Sequence, residues 1–137
     1  MNPPNGAPVA PAGEPVSPAA SGSAAGPASL QFSSVGLAPV LQSAVAAQGY
    51  TTMTPIQAKA IPIVLAGRDV MGAAQTGTGK TAAFSLPLLH KMLPHENSSM
   101  SPARHPVRAL VIAPTRELAD QVADNIKGYA AHSKLRV

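Results

Sequence analysis

Asp69-Val70-Met71-Gly72-Ala73 runs directly into Ala74-Gln75-Thr76-Gly77-Thr78-Gly79-Lys80-Thr81, and this stretch decides the fold. The first five residues read as a short buried strand. The next eight read as a glycine-rich loop ending in Lys-Thr, the form of a cradle for nucleotide phosphates. A triphosphate is densely charged, and a loop without bulky side chains lets backbone N–H groups approach it. Gly77 and Gly79 supply that closeness and the uncommon dihedrals. Lys80 can reach the β- and γ-phosphates, and the Thr81 hydroxyl can ligate Mg²⁺. A helix begun at Lys80 would aim its N-terminus at the phosphates. The general pattern has Gly where this chain has Ala74, which fits a tight turn only at negative φ. The bland alternative is a glycine turn with Lys80 in solvent.

Working outward, Ala82, Ala83, Phe84, Leu86, Leu88 and Leu89 make Lys80 to Leu93 a largely apolar helix, with Pro87 expected to kink or restart it. Upstream, the spacing of Leu37, Val40, Leu41, Ala44 and Val45 predicts a helix over 37–48 that stops at Gly49. Thr54-Pro55 reads as an N-cap with proline at the first helical position. Residues 56–60 continue that turn, and Pro62 is expected to begin a further short helix ended by Gly67. Downstream of a polar loop over 94–106, Arg108 to Ala113 reads as a second buried strand. Arg116 to Ala131 is a second long helix, with Leu118, Val122 and Ile126 on one stripe. Leu135-Arg136-Val137 reads as the start of a third strand. Strand, helix, strand, helix, strand is an α/β pattern with a parallel sheet, whose sites lie beyond the carboxyl ends of the strands.

Residues 1–29 have another character. They hold Pro3, Pro4, Pro8, Pro11, Pro15, Pro18 and Pro27 among Ala, Ser and Gly, and Glu14 is their single charged side chain. Such a composition cannot offset its ordering entropy, so a disordered tail is expected. It lacks the basic start and long apolar run of a secretory signal. Without cysteine, disulfides and thiolate metal sites are excluded. The 4 His show no ligand spacing. A net charge of +4 and a pI near 9.9 suit a polyanionic partner only mildly, because the basic residues are scattered.

Two further constellations flank the loop. Pro114-Thr115-Arg116-Glu117-Leu118-Ala119 follows the second strand, so free N–H groups and Arg116 stand where a phosphate could bind. An ordinary capped helix start explains the same residues. Upstream, Gly49 to Gln57 (Gly-Tyr-Thr-Thr-Met-Thr-Pro-Ile-Gln) is preceded by an isolated Phe32. A Gln amide offers one acceptor and two donors, enough to pair with an adenine edge, and an aromatic ring can stack on a base. A hydrophobic staple at Phe32 and a surface amide at Gln57 are the structural alternatives.

Taken together, the three constellations resemble the N-terminal part of the DEAD-box ATP-dependent RNA helicases. Phe32 with Gly49–Gln57 resembles the family's Q motif, Ala74–Thr81 its motif I, and Pro114–Ala119 its motif Ia. The family's phosphate loop begins with Ala, as here. Met53 stands where many members have Pro, and the Pro106-Val107-Arg108-Ala109-Leu110 run looks most like the bacterial RhlE-type subgroup. The resemblance covers residues 30–137. It implies that Gln57 reads adenine and Phe32 stacks on it, and that Ala74, Gln75, Thr76, Gly77, Thr78, Gly79, Lys80 and Thr81 hold ATP and Mg²⁺. Lys80 and Thr81 are implied in catalysis. Pro114, Thr115 and Arg116 are implied to touch the RNA backbone, which positions without specifying sequence. A cytoplasmic protein is also implied.

The organisation expected is a tail over 1–29, a Q-motif region over 30–58 and the first part of a RecA-like ATP-binding domain over 59–137. No Asp-Glu-Ala-Asp (the family's motif II) occurs, and neither does a second RecA-like domain. The expectation is therefore an N-terminal piece of a helicase, inactive alone, whose remaining strands lie beyond Val137. Two rival readings stay open: a non-catalytic nucleotide-binding or interaction module, and another P-loop enzyme such as a DNA helicase.

Overall fold

The computed structural model describes residues 30–75, 77, 79–101, 103 and 106–137. The expected tail over 1–29 lies outside them. Four helices carry the described structure: α1 (Pro39–Ala47), α2 (Pro55–Leu65), α3 (Lys80–Met92) and α4 (Arg116–Ala130), with 3₁₀ turns at Phe32–Ser34 and Leu93–His95. α2 packs on α3, α3 on α4, and α1 against both α3 and α4. Phe32, Leu37, Leu41 and Val45 meet Ile61, Leu86 and Leu89 in the core that results, and Val122, Ile126 and Tyr129 close it from α4.

Local chemistry sets the helix ends. α1 begins with proline at its first position, and Gly49 ends it at φ +84°. The Tyr50 N–H then returns to the Val45 carbonyl at 3.1 Å. Thr54 and Gln57 form a reciprocal capping box at the start of α2. Thr115 caps α4 by accepting the Leu118 N–H at 3.2 Å. Burial of Leu41, Ala44 and Val45, and of Ala82, Ala83, Leu86 and Leu89, gives α1 and α3 their inward faces.

Three expectations need correction. α2 is one helix through Pro62 rather than two. Pro62 is exposed, while Ile61 beside it is fully buried where α2 packs on α3. Burial of that face offsets the roughly 3 kcal/mol that an interior proline costs. α3 likewise runs unbroken through the buried Pro87. Leu118 stands 39% exposed, off the core stripe of α4.

The expected parallel sheet does not form among the described residues. Segments 69–73, 108–113 and 135–137 carry no strand pairing, and the single ladder contact is an isolated antiparallel bridge between Gln31 and Thr52. Met71 is fully exposed, and Leu110 and Ile112 are 79% and 84% exposed. A helix satisfies its backbone from within, whereas a parallel strand needs neighbours brought from far along the chain. Apolar content places these segments beside the helices without supplying those neighbours. An apolar cavity of about 410 Å³ remains between α3, α4 and segments 107–113 and 134–137.

Candidate nucleotide-binding site

The loop expected to cradle phosphates sits between α2 and α3, after the segment 68–73 that carries no regular structure. Gly77 and Gly79 both adopt left-handed dihedrals, at φ +81° and +77°. Gly79 is the N-cap of α3, so the first N–H groups of that helix open onto the loop. Lys80 extends its ammonium back to the Ala74 carbonyl at 2.5 Å. Thr81 follows, half-buried in the first turn, its carbonyl accepting from the Ser85 hydroxyl at 2.6 Å. Gln75 is exposed. Thr76 and Thr78 lie outside the described residues.

Gln57 joins this loop to the upstream segment. Gln57 is 5% exposed. Oε1 accepts the Thr54 N–H at 3.0 Å, and Nε2 donates to the Gly79 carbonyl at 3.2 Å. A methyl on Gly79 would fall on Nε2 of Gln57. The contact is thus possible only because residue 79 is glycine, for reasons of space as well as of dihedral.

Gln57, Gly79, Lys80 and Thr81 border a cleft of about 1120 Å³. Phe32 borders it from below, 4% exposed and part of the core. Its segment is held to the 50–54 stretch by the Phe32 N–H donating to the Thr51 carbonyl at 3.3 Å and the Met53 N–H to the Leu30 carbonyl at 2.8 Å. Tyr50 borders the same cleft and is 54% exposed. Sequence reasoning gave Tyr50 no role. Its signal was its place at the head of the Gly49–Gln57 run in a chain with only 2 Tyr and 2 Phe. Tyr129 also borders the cleft, and burial, with a smaller contribution from Tyr50, raises its hydroxyl above the usual tyrosine pKa.

Pro114 reaches the cleft from the far side. Thr115 and Arg116 are exposed and do not border it. They stand at the start of α4 as a separate surface. No group of three or more His, Asp or Glu capable of holding a metal occurs among the described residues. No helix among them is long and apolar enough to cross a membrane.

Residues 54–137 match the family model described as DEAD/DEAH box helicase. The chain belongs to this family. The match takes in Gln57, the phosphate loop and Pro114–Arg116, and leaves Phe32 and Tyr50 upstream. Among curated relatives, the DEAD-box ATP-dependent RNA helicase CshA of Bacillus cereus is 46% identical over 106 residues, covering 77% of this chain and 19% of the relative. The ATP-dependent RNA helicase RhlB of Haemophilus influenzae is also 46% identical over 106 residues, with 25% of its own length covered. The chain therefore spans about a fifth to a quarter of the length of these DEAD-box relatives. Of solved structures, the RNA helicase Prp28 from Chaetomium thermophilum, bound to ADP, is 41% identical with a TM-score of 0.64, over 77% of this chain and 25% of that one. S. cerevisiae Dbp5, bound to RNA and ADP BeF3, is 33% identical with a TM-score of 0.65, over 76% and 25%. These neighbours have the RecA-like DEAD-box fold, and this chain is similar to it to that extent.

Proposed function

We propose that this sequence is the N-terminal piece of an ATP-dependent RNA helicase, which binds ATP at the Gln57–Thr81 cleft and RNA at the start of α4. The observation that carries the reading is the joint between Gln57 and Gly79. It sets a purine-reading amide against the loop suited to the phosphates, so one ligand with a base at one end and phosphates at the other fits both.

The residues suit that ligand. Left-handed Gly77 and Gly79 leave the loop open to close approach by phosphate oxygens. Lys80, now on the Ala74 carbonyl, is free to exchange that neutral acceptor for a charged one. The Thr81 hydroxyl would hold Mg²⁺, which supplies charge neutralisation between the phosphates. Among the rings at the cleft, Tyr50 offers the larger exposed face for stacking, while Phe32 forms the floor. Thr115 and Arg116, with Pro114 between the two sites, would contact RNA phosphates without reading bases.

In the full-length protein the remaining strands would pair with 69–73 and 108–113 to complete a parallel sheet. The metal-binding and water-activating carboxylates would come from that same remainder. The Pro106–Leu110 run supports an RhlE-type member, and we place the protein in the cytoplasm. The test is ATP turnover by the full-length protein with and without RNA, beside DNA and GTP controls. RNA-stimulated turnover is expected. Nucleotide binding without turnover would favour a non-catalytic module, and stimulation by DNA alone would favour a DNA helicase.

A further inference from the structure

The segment that carries Phe32 is fastened at both ends, and the second fastening has no part in the nucleotide reading. At one end the Met53 N–H donates to the Leu30 carbonyl and the Phe32 N–H to the Thr51 carbonyl. At the other, both sides of the Leu37–Ala38 peptide are taken. The Leu37 carbonyl accepts from Nε2 of Gln42 at 2.7 Å, and the Ala38 N–H donates to Nδ1 of His90 at 3.1 Å. Ala38 is the N-cap of α1, and His90 stands in the last turn of α3, the helix whose first turn holds Lys80 and Thr81. A backbone N–H can only donate, so Nδ1 of His90 accepts: the imidazole is neutral, with its proton on Nε2. His90 is half-buried and does not border the cleft. Phe32 does border it, and shares the core cluster with Leu37.

We propose that His90 is a positioning residue for the base end of the cleft: by accepting the Ala38 N–H, its neutral imidazole ties the Phe32 segment to α3, so that the floor under the base and the phosphate loop are referenced to one helix. The inference rests on the nucleotide reading above. Fixing a segment before the ligand arrives removes its ordering cost from binding. The bonds at Leu30 and Phe32 hold one end of the segment alone, and the His90 bond is the tie from α3 to the other. Because His90 lies outside the cleft, its loss should be felt by a ligand that needs the floor and not by one that needs only the loop.

The test titrates ATP and inorganic tripolyphosphate into the full-length protein; the second ligand has the charge but no base. His90→Phe keeps a ring and removes the acceptor. It is expected to weaken ATP binding about fivefold, the worth of one hydrogen bond, and to leave tripolyphosphate unchanged. His90→Asn carries a side-chain oxygen that can accept the same N–H, and should restore most of the ATP affinity. In a Phe32→Leu background the floor is already altered, so His90→Phe should have little further effect on ATP. Equal weakening of both ligands, no weakening of either, no recovery with asparagine, or the full loss with Phe32 already replaced overturns the inference. The ring nitrogen shifts of His90 in the unsubstituted protein decide the matter even if a variant fails to fold: a proton on Nε2 and a bare Nδ1 are expected, and a proton on Nδ1 overturns the inference. If the unsubstituted protein does not bind ATP, the nucleotide reading falls and this inference with it. If it binds ATP and the variants behave otherwise than stated, the inference alone falls.

Discussion

The side-chain amide of Gln57 donates to the Gly79 carbonyl at 3.2 Å while accepting the Thr54 N–H at 3.0 Å. One buried side chain thus fastens the first turn of α2 to the N-cap of α3. In the proposed reading base recognition and phosphate-loop geometry share this residue, and a ligand that engages the amide must compete with or reorient both bonds. In the full-length protein, ATP is therefore expected to be used in preference to GTP, whose O6 is an acceptor where adenine has a donor. Gln57→Ala should lower ATP affinity and erase most of that preference, since an unmet polar group at such a site costs roughly 1–3 kcal/mol. Turnover measured with both nucleotides checks it; equal use of GTP by the unsubstituted protein refutes the base-reading role.

Gly79→Ala should be more damaging than its size suggests. The new methyl falls on Gln57 Nε2, and φ at +77° disfavours any residue with a Cβ. The dihedral alone costs about 1–2 kcal/mol. Nucleotide affinity is expected to drop by more than about tenfold, each tenfold being about 1.4 kcal/mol. Gly36→Ala is the control: φ there is +72° but a methyl meets nothing within 4 Å. Equal binding by the two variants would mean that the contact with Gln57 is immaterial.

Lys80→Ala should abolish ATP hydrolysis in the full-length protein and leave its stability nearly unchanged. Lys80 is exposed, and its one described bond is to a backbone carbonyl at the surface. Removing a donor aimed at developing charge costs on the order of 100-fold or more in turnover, while a surface substitution usually stays within about 0.5 kcal/mol. Thermal melts beside phosphate-release rates separate the two roles. Retained turnover would contradict the phosphate assignment.

Arg116→Ala should weaken RNA binding with little change in nucleotide affinity, because Arg116 stands outside the cleft at the exposed start of α4. Loss of one phosphate contact should reduce the slope of log affinity against log salt by about one. RNA titrations at several salt concentrations measure both. An unchanged slope would leave Arg116 as a helix-start residue with no part in RNA binding.

Burial, and secondarily Tyr50, raises the Tyr129 pKa above 10.0. The folded state thus holds the phenolic proton to higher pH than the unfolded chain does. The corresponding stability is fully present below the unfolded value and is lost as pH climbs from there through the folded pKa. Unfolding midpoints should fall above about pH 10, and Tyr129→Phe should flatten that fall. Denaturant titrations across pH 8–12 on both proteins check the sign.

What the sequence disclosed followed from chemistry confined to a few neighbouring residues. Thr54-Pro55, Gly49 and Thr115 announce helix ends because a cap, a left-handed glycine or a fixed φ acts within one turn. The glycines and Lys80 announce the loop for the same reason. The spatial partnership of Gln57 with Gly79 was not legible, since nothing in either local pattern says that two helix starts will touch. Nor was the contrast between a buried Phe32 and an exposed Tyr50, which depends on which ring the assembled core takes in. The strands expected over 69–73 and 108–113 stay unpaired among the described residues for a related reason. Apolar runs such as Leu110-Val111-Ile112 report that a segment wants burial, and the pairing that would deliver it is a long-range matter. Pro62 and Pro87 misled in the opposite direction, because packing against neighbouring helices outweighs a local breaker.

The unpaired state of segments 69–73 and 107–113 has a kinetic reading. Their amides have no carbonyl partner among the described residues, so hydrogen exchange there should run near the rate of an open chain. Amides of α1 to α4 that face the Leu41–Ile61–Leu86 core should be protected by many-fold. A helical cluster with its strands still unclaimed is also what a ribosome would hold in midsynthesis. In that interval Met71, Leu110 and Ile112 would be exposed to whatever binds nascent apolar chain.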